Sequence, residues 1–566
     1  MATASAIVTK YSRDDKFQGG ILVLIALVVA IAVLLPLCTI FLKSVENRDG
    51  NFVGILNYVE YFQTPALVAS IYNTIIIGVV TTVIVITLAF IYAYALTRSC
   101  MPYKNLFRSI SLIPLLAPSL LPAIALIYMF GNQGYMKELM FGYEIRGPIG
   151  IVISLVFWIF PHVVILLSTA LSTADGRLYE AAKVLRTKSI RTFFKITLPA
   201  AKYGVMSACF VAFLYAITDF GACKVIGGWY TVLSLDIYKQ VVGQQNFQLG
   251  SVVSVILLLP VVVTFIAQRQ VQRKQTAQIT PGSVPYQPKP NRRFDLLMLL
   301  YCIVVSIILL AILGTAAFAS FVKFWPYNLS LSLTNYQFNL MDGGSWQAYR
   351  NSVVMSLYTA FIGTAVIFCS AYFIEKTRRY RGLRSSLNFL SIVPLATPGM
   401  VLGLAYLFFF NDPLNPLNFI YKTMIILVLA NIVHYYTVPH LTATTALKQL
   451  DVEFESVSAS LKVPFYKTFW HVTLPICIPA LSNIWIYLFV TAITTVSAVV
   501  FLYGHDTNIA AVAVVNMDDA GDVAPAAAMA MMIVYTAMGV RIVHWLLTHF
   551  IEKHTQKWRQ QKLTSD

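Results

Sequence analysis

Long stretches without charged residues alternate with short polar segments along the whole chain of 566 residues. A helix needs roughly 20 mostly apolar residues to cross the hydrocarbon core of a bilayer. Twelve stretches meet this requirement, two of them with a short continuation: 17–42, 61–97, 109–136, 147–174, 203–218, 240–268, 296–322, 351–374, 385–411, 423–447, 468–505 and 523–540. The pattern predicts an all-α integral membrane protein with twelve transmembrane helices, six in each half.

Composition agrees with this class. Hydrophobic residues make up 58% of the chain, charged residues 11%, and the mean hydropathy is +0.72. A soluble domain carries roughly a quarter charged residues. The first apolar stretch is too long for a cleavable signal peptide, so we expect it to remain as a membrane anchor.

The distribution of charge predicts the orientation. Most of the 41 Lys and Arg residues fall in the loops of one side if the N-terminus is cytoplasmic, as positive-inside topology requires. Both termini are therefore predicted to be cytoplasmic. The same topology explains the net charge of +17, so no nucleic-acid partner is predicted.

A basic segment ending in Thr-Leu-Pro occurs twice, at 191–199 and 467–475. The Ser-x-x-Pro-Leu-x-x-Pro pattern of 111–118 also recurs, at 391–398. Because each half contains an even number of spans, both halves enter the membrane in the same direction and form parallel repeats. We predict a first half at 1–268, a polar, proline-containing cytoplasmic linker at 269–293, and a second half at 294–566.

The triplet Glu180-Ala181-Ala182, followed by Leu185 and then Leu198-Pro199, resembles the EAA loop of permeases of binding-protein-dependent ABC importers. The resemblance implies a type I importer permease in the bacterial inner membrane, with two ATPase subunits, a periplasmic solute-binding protein and membrane lipid as partners. In that family a short coupling helix on the permease sits in a groove of each ATPase. The residues that the resemblance assigns to the two coupling loops are Glu180, Ala181, Ala182, Leu185, Arg186, Leu198, Pro199, Glu455, Ser456, Leu461, Lys462, Leu474 and Pro475.

The second loop departs further from the family pattern than the first. Its triplet is Ser456-Val457-Ser458, with Glu455 one place early. The glycine that usually follows the motif leucine is Arg186 in the first loop and Lys462 in the second. These departures predict unequal coupling, with the first half holding its ATPase more conventionally.

Nothing in the chain predicts catalysis. No Gly-Lys pair occurs, so a phosphate-binding Gly-x-x-x-x-Gly-Lys loop is impossible, and ATP hydrolysis is expected in separate subunits. The seven cysteines stand singly, without metal-ligand spacing. We predict no catalytic residues, no cofactor and no metal site.

An acidic residue, Asp219, interrupts the fifth apolar stretch. An ionisable group near membrane depth is costly and is therefore a functional candidate. Asp219 could meet a cationic solute, or it could lie at the external interface where the helix has already ended, and the sequence leaves both interpretations open. The candidate pathway residues in the two halves are Thr218, Asp219, Thr494, Thr495 and Ser497.

Residues 219–228, 238–248 and 516–522 resemble the fused-permease branch associated with 2-aminoethylphosphonate import, which predicts a phosphonate solute. Fused ferric-iron permeases share the same two-half plan, so ferric iron is the alternative solute. An ion-coupled secondary transporter is the alternative from a different class, although it would be expected to place more ionisable groups inside its spans.

Overall fold

A computed structural model describes residues 13–172, 174–278, 284, 286–377, 379–461 and 463–555. Most of these residues are helical. The helices of the first half are α1 (Arg13–Val29), α2 (Leu35–Ser44), α3 (Leu56–Gln63), α4 (Pro65–Arg98), α5 (Lys104–Leu112), α6 (Leu120–Phe130), α7 (Pro148–Ser172), α8 (Gly176–Val184), α9 (Ser189–Thr192), α10 (Leu198–Thr218), α11 (Gly221–Ile226), α12 (Leu233–Tyr238) and α13 (Phe247–Gln278).

The second half repeats this order. Its helices are α14 (Arg292–Phe321), α15 (Trp346–Lys376), α16 (Arg381–Leu390), α17 (Gly399–Phe410), α18 (Met424–His434), α19 (Thr437–Lys448), α20 (Val452–Ser460), α21 (Phe465–Thr468), α22 (Leu474–Ile476), α23 (Ile478–Thr494), α24 (Ala510–Ala520) and α25 (Val523–Thr555). A short antiparallel hairpin, β1 (Val322–Phe324) and β2 (Asn328–Leu331), follows α14 and pairs Val322 with Leu331.

Within the described residues, eight helices are long and apolar enough to cross a membrane. Four bent helix pairs bring the number to twelve if each pair is one span. The two sharpest bends, 101° between α5 and α6 and 110° between α16 and α17, fall at the repeated Ser-x-x-Pro-Leu-x-x-Pro motif. Proline removes a backbone donor and resists the helical interior, so the duplicated prolines place equivalent bends in both halves. The predicted fold class is confirmed.

The two halves are interlocked by their first spans. Helix α2 packs on α17 of the second half, and α14 packs on α6 of the first half. Two tyrosine hydroxyls bond across the halves: that of the buried Tyr406 donates to Ala32 O at 2.7 Å, and that of the partly buried Tyr301 donates to Leu88 O of α4 at 2.8 Å. Since a buried hydroxyl needs a partner, these bonds favour one arrangement of the two halves.

Three segments differ from their sequence-based description. The duplicated Thr-Leu-Pro segment is not a loop but the helical entry to a span in each half. The dense acidic residues of 516–522 favour a solvated loop from sequence alone, but this stretch largely forms the end of α24 and buries Met517. The span predicted at 468–505 ends at Thr494, because the chain turns back into the protein and buries residues such as Val499 and Leu502.

The predicted division at 269–293 stays a prediction. Helix α13 continues past residue 268 to Gln278, and residues 286–290 have no regular structure. Part of the predicted linker, residues 279–283 and 285, lies outside the described residues.

Candidate coupling helices and translocation path

Helix α8 carries the Glu-Ala-Ala triplet on an exposed, well-capped turn. Asp175 caps its start by accepting from Arg177 N at 3.0 Å. Its end is closed by backbone bonds from Arg186 N to Lys183 O and from Thr187 N to Ala182 O, both 3.0 Å. This pair of bonds is the Schellman motif, which usually places glycine at the left-handed position. Arg186 occupies that position with φ of 49°, which explains why glycine is usual there in the permeases that the loop resembles.

Helix α20 in the second half makes the longer of these two closing bonds although its triplet differs. Val463 N donates to Ser458 O at 2.9 Å, the equivalent of the Thr187 bond. The hydroxyl contact behind the turn has moved: Thr187 bonds Thr192 in the first half, whereas Ser458 bonds Thr468 in the second. The divergent Ser456-Val457-Ser458 triplet therefore keeps the local fold. Lys462 and the side chain of Glu455 lie outside the described residues.

The two coupling helices and the segments directly after them expose apolar side chains at equivalent positions, 276 residues apart. The pairs are Leu178 and Phe454, Leu185 and Leu461, Ile190 and Tyr466, and Phe194 and Trp470. Leu185 is 75% exposed and Leu461 is 70% exposed. In the first helix Glu180 and Ala181 are also exposed, whereas Ala182 is buried. Exposed apolar groups that recur on both halves are typical of a contact surface.

The first coupling helix contacts the membrane helices through an arginine. Arg98, the last residue of α4, lies over the rings of Tyr179 in α8 and Tyr286, at 4.7 and 4.3 Å from their centroids. Its guanidinium also donates to Leu171 O at 2.7 Å. Arg98 thus joins α8 to the ends of α4 and α7. Arg378, its counterpart in the repeat, lies outside the described residues.

The duplicated Thr-Leu-Pro segment forms a π-helical turn in each half, Phe193–Thr197 and Phe469–Thr473. Leu198 and Leu474, which start the next helices, each donate to a carbonyl five residues back. The wider turn accommodates Pro199 and Pro475, which have no N–H to donate. In each half the first phenylalanine of the turn packs against two rings of the second span: Phe193 on Phe90 and Tyr94, and Phe469 on Phe368 and Tyr372.

Asp219 follows the last residue of α10, so the span has ended there. Its carboxylate accepts from Ala222 N at 2.9 Å and bonds Ser119. Burial raises the pKa of Asp219 to about 6, and these two hydrogen bonds oppose the shift. Asp219 therefore holds the turn into α11 against the bend between α5 and α6.

Thr495 is the repeat counterpart of Asp219, and it accepts from Tyr435 Oη at 3.1 Å. The Thr218 and Thr494 hydroxyls bond backbone carbonyls one turn back in their own helices. Among the described residues, no hydrogen bond joins the Asp219 group to Thr494, Thr495 or Ser497. The five predicted pathway residues thus form two separate groups, one in each half.

A serine faces a glycine at the bend of each half, with the two residues exchanged. A Cβ at Gly221 would collide with Ser119 Oγ in the first half, and a Cβ at Gly399 would collide with Ser497 Oγ in the second. Gly399 is the counterpart of Ser119, and Ser497 is the counterpart of Gly221. Each close approach therefore needs one small residue, and each half supplies it from the opposite segment.

Comparison with known proteins decides the class. Residues 86–277 match the family described as binding-protein-dependent transport system inner membrane component. The chain is 26% identical over 568 residues to the ferric transport system permease protein FbpB of Actinobacillus pleuropneumoniae, covering 95% of this chain and 80% of the relative.

Of two further relatives, one matches most of this chain and the other matches about half of it. The putative ferric transport system permease protein FbpB 1 of Haemophilus influenzae is 27% identical over 536 residues, covering 90% of this chain and 82% of the relative. The spermidine/putrescine transport system permease protein PotB of the same organism is 24% identical over 279 residues, covering 46% of this chain and 97% of the relative. The protein is an ABC importer permease and not an enzyme, and this finding replaces the ion-coupled alternative.

The permease also carries a duplicated Pro-His pair that the sequence analysis did not use. Pro161-His162 recurs as Pro439-His440. His440 is buried and His162 is partly buried, and each lies against the aromatic ring four residues earlier. The common offset of 278 was the signal in the sequence that could have identified this pair. In the first half the His162 ring also contacts Tyr215, with centroids 4.8 Å apart.

Tyrosines from both halves of the permease meet between the bundles. Tyr215 of α10 lies near Tyr435 and Tyr487 of the second half. The Tyr435 and Tyr487 rings lie 6.3 Å apart. Among the described residues, no three His, Cys, Asp or Glu side chains are grouped as metal ligands. The aromatic groups are therefore further candidates for the wall of the pathway, in addition to the predicted residues.

An ion pair joins the two halves at the face opposite the coupling helices. Lys224 of α11 pairs with Asp519 of α24 at 2.8 Å. Neighbouring Asp518 is partly buried, and the resulting loss of solvation raises its pKa to about 6, with Asp519 adding to the shift and Arg146 and Lys224 opposing it. This outer junction, defined by Lys224, Asp518 and Asp519, connects the halves across the expected pathway.

Proposed function

We propose that this permease imports ferric iron, using a periplasmic solute-binding protein and two ATPase subunits. Two relatives that cover at least 90% of this chain are named as ferric transport permeases, which supports the solute. The observation that carries the docking proposal is the pair of coupling helices with matching ends and matching exposed apolar positions. Each ATPase would contact one of them.

In the proposed cycle, ATP binding draws the two ATPases together and moves α8 and α20. The residues around Arg98 and Tyr179 transmit this motion to α4 and α7. The ring contacts of Phe193 and Phe469 transmit it to the second span of each half. The halves then separate at one face and close at the other, so that the pathway between them opens alternately to each side.

We propose two kinds of role for the residues of the coupling loops: contact with the ATPases, and connection of the contact surface to the spans. Glu180, Ala181, Leu185, Ser456 and Leu461 lie on or directly after the coupling helices and would contact the ATPases. Arg186 holds the left-handed turn at the end of α8. Ala182, Leu198, Pro199, Leu474 and Pro475 lie behind the contact surface and would maintain its link to the spans. The cytoplasmic orientation of this face and of both termini is part of the proposal.

A phosphonate such as 2-aminoethylphosphonate is the second candidate solute. The partly desolvated Asp219 carboxylate beside Ser119 supports it, because an ammonium group needs such an acceptor. In this case the pathway residues Thr218, Thr494, Thr495 and Ser497 would contribute hydroxyl donors for the anionic end.

Uptake into proteoliposomes tests both the class and the solute. The permease is reconstituted with its cognate ATPases and binding protein, and accumulation of ferric iron and of 2-aminoethylphosphonate is measured with ATP supplied to the ATPase side. We expect ATP-dependent accumulation of iron, abolished by a hydrolysis-deficient ATPase. Accumulation of the phosphonate alone would replace iron as the solute. Uptake driven by an ion gradient without ATPases would contradict the proposed mechanism.

A further inference from the structure

Four arginines line one open groove on the face that carries the coupling helices. Arg269 and Arg273 come from the end of α13 in the first half, and Arg381 and Arg384 come from α16 in the second. The groove has a volume of about 790 Å³, and no carboxylate lines it among the described residues. It lies on the coupling face because the segment after α13 bonds the start of α8, through Gly176 N and Val284 O.

Two of the arginines are held in place by the protein. Arg384 donates to the carbonyls of Ile374 and Glu375 at the end of α15, the latter at 2.9 Å. Arg269 lies 5.8 Å from the ring centroid of Phe389. The Glu375 carboxylate pairs with Lys448 at 3.9 Å, so it does not neutralise the positive charge of the groove. Four guanidinium groups without a lining carboxylate repel one another, and a bound phosphate would offset that repulsion.

An apolar groove adjoins the arginine groove and shares Leu390 with it. It has a volume of about 270 Å³ and runs between α1, α15 and α18, with Leu24, Val28 and Val366 on its walls. The Ser370 and Tyr436 hydroxyls at its wall bond one another, which leaves the lining apolar. A phosphate-binding groove thus continues directly into a groove suited to a hydrocarbon chain.

We propose that this composite groove binds one anionic phospholipid. Its phosphate lies among Arg269, Arg273, Arg381 and Arg384, and one acyl chain lies in the apolar groove beyond Leu390. Continuity with the apolar groove favours a lipid over free phosphate or a nucleotide, which would leave that groove unfilled. Helix α16 supports the placement because its Leu387 packs against Leu22 of α1 while Arg381 and Ser385 are exposed, as in an interfacial helix.

The expected consequence is a lipid that holds α1 of the first half to α15 and α16 of the second. This inference does not depend on which solute is carried. A basic residue near an anionic lipid surface contributes about 1 kcal/mol, so removing two such charges should weaken binding about 30-fold.

The test measures lipid retained by the full-length permease in complex with its ATPases. The complex is extracted from nanodiscs of phosphatidylcholine containing phosphatidylglycerol, and bound lipid is counted by native mass spectrometry. We expect one retained phosphatidylglycerol, with affinity reduced about 30-fold in Arg273→Gln/Arg381→Gln. The matched control is Lys104→Gln/Arg108→Gln on α5, the equivalent helix of the first half, which should retain the lipid as wild type does.

A second pair of variants tests the acyl chain. Val366→Phe fills the apolar groove and should lower retention, whereas Ile362→Phe, one turn earlier on α15 and outside the groove, should not. Equal retention by wild type and the arginine variant overturns the proposal, and equal retention by Val366→Phe overturns the acyl assignment. Displacement of the lipid by inorganic phosphate or ATP at equal affinity would assign the groove to a soluble anion instead.

Discussion

At the residue scale, several positions show the same contact made by exchanged partners in the two halves. Ser119 faces Gly221 in the first half, and Gly399 faces Ser497 in the second. The hydroxyl behind the coupling helix likewise comes from Thr187 in one half and from Ser458 in the other. Such exchanges preserve a contact in both halves, but the equivalent positions of the two halves then carry different residues, so the sequence repeat does not reveal the contact.

The glycine facing Ser119 gives a testable case. Gly221→Ala should lower the free energy of unfolding by about 1–3 kcal/mol, because the added Cβ overpacks a backbone approach that Ser119 already fills. Thermal unfolding of the purified permease measures the change. Gly314→Ala on α14 is the control, since nothing lies within 4 Å of its added Cβ. Ser119→Gly should partly rescue Gly221→Ala, and equal melting of the two alanine variants would argue against the close approach.

At the element scale, the coupling helices are similar where their sequences differ. At their ends, Thr187 N donates to Ala182 O in the first half and Val463 N donates to Ser458 O in the second. Apolar side chains are exposed at four equivalent positions on and after the two helices. The unequal coupling expected from the divergent second triplet has no counterpart in this local geometry. The apolar surface, rather than the glutamate triplet, is what the two elements share.

Docking through that surface predicts matched losses. Leu185→Asp and Leu461→Asp should each reduce co-purification of ATPase about 10-fold or more, because a charge replaces a group buried in the contact. The control is Leu414→Asp, which is 92% exposed on the opposite face. Full association by Leu461→Asp together with loss by Leu185→Asp would restore the unequal coupling that the sequence predicted.

At the scale of the whole molecule, the two halves form one interlocked body. The first span of each half packs on a helix of the other half, and Lys224 and Asp519 close the outer junction between them. Alternating access requires the two sides of this junction to separate. In the proposed cycle, the ion pair would therefore stabilise the state in which this face is closed.

Removing this ion pair should shift the conformational equilibrium. Lys224→Met should raise the outward-open population by up to about 5-fold, since a partly exposed pair contributes about 0.2–1 kcal/mol. Spin labels placed on either side of the outer junction would report this as a larger fraction of long distances. Lys43→Met removes a 2.7 Å pair with Glu46 inside one half and serves as the control. Identical distance distributions for the two variants would show that the Lys224 pair does not hold the junction closed.

The sequence alone determined the features that depend on local pattern. Apolar length predicted the spans, the repeated prolines predicted equivalent halves, and the Glu-Ala-Ala triplet indicated where a coupling helix is expected in the first half. The spans can be predicted from the sequence because each needs about 20 apolar residues, whatever surrounds it. The sequence could not predict that the Thr-Leu-Pro segment is a π-helical entry to a span, since that depends on how Phe193 packs against α4.

Only the tertiary structure decided which distant residues meet. It brought Tyr215 to Tyr435 and Tyr487, closed Lys224 on Asp519, and joined the arginines of α13 to those of α16. None of these contacts lies at a fixed spacing along the chain, because each depends on how two bundles cross in three dimensions. A sequence periodicity records the face of one helix, and the partner of that face is chosen by packing.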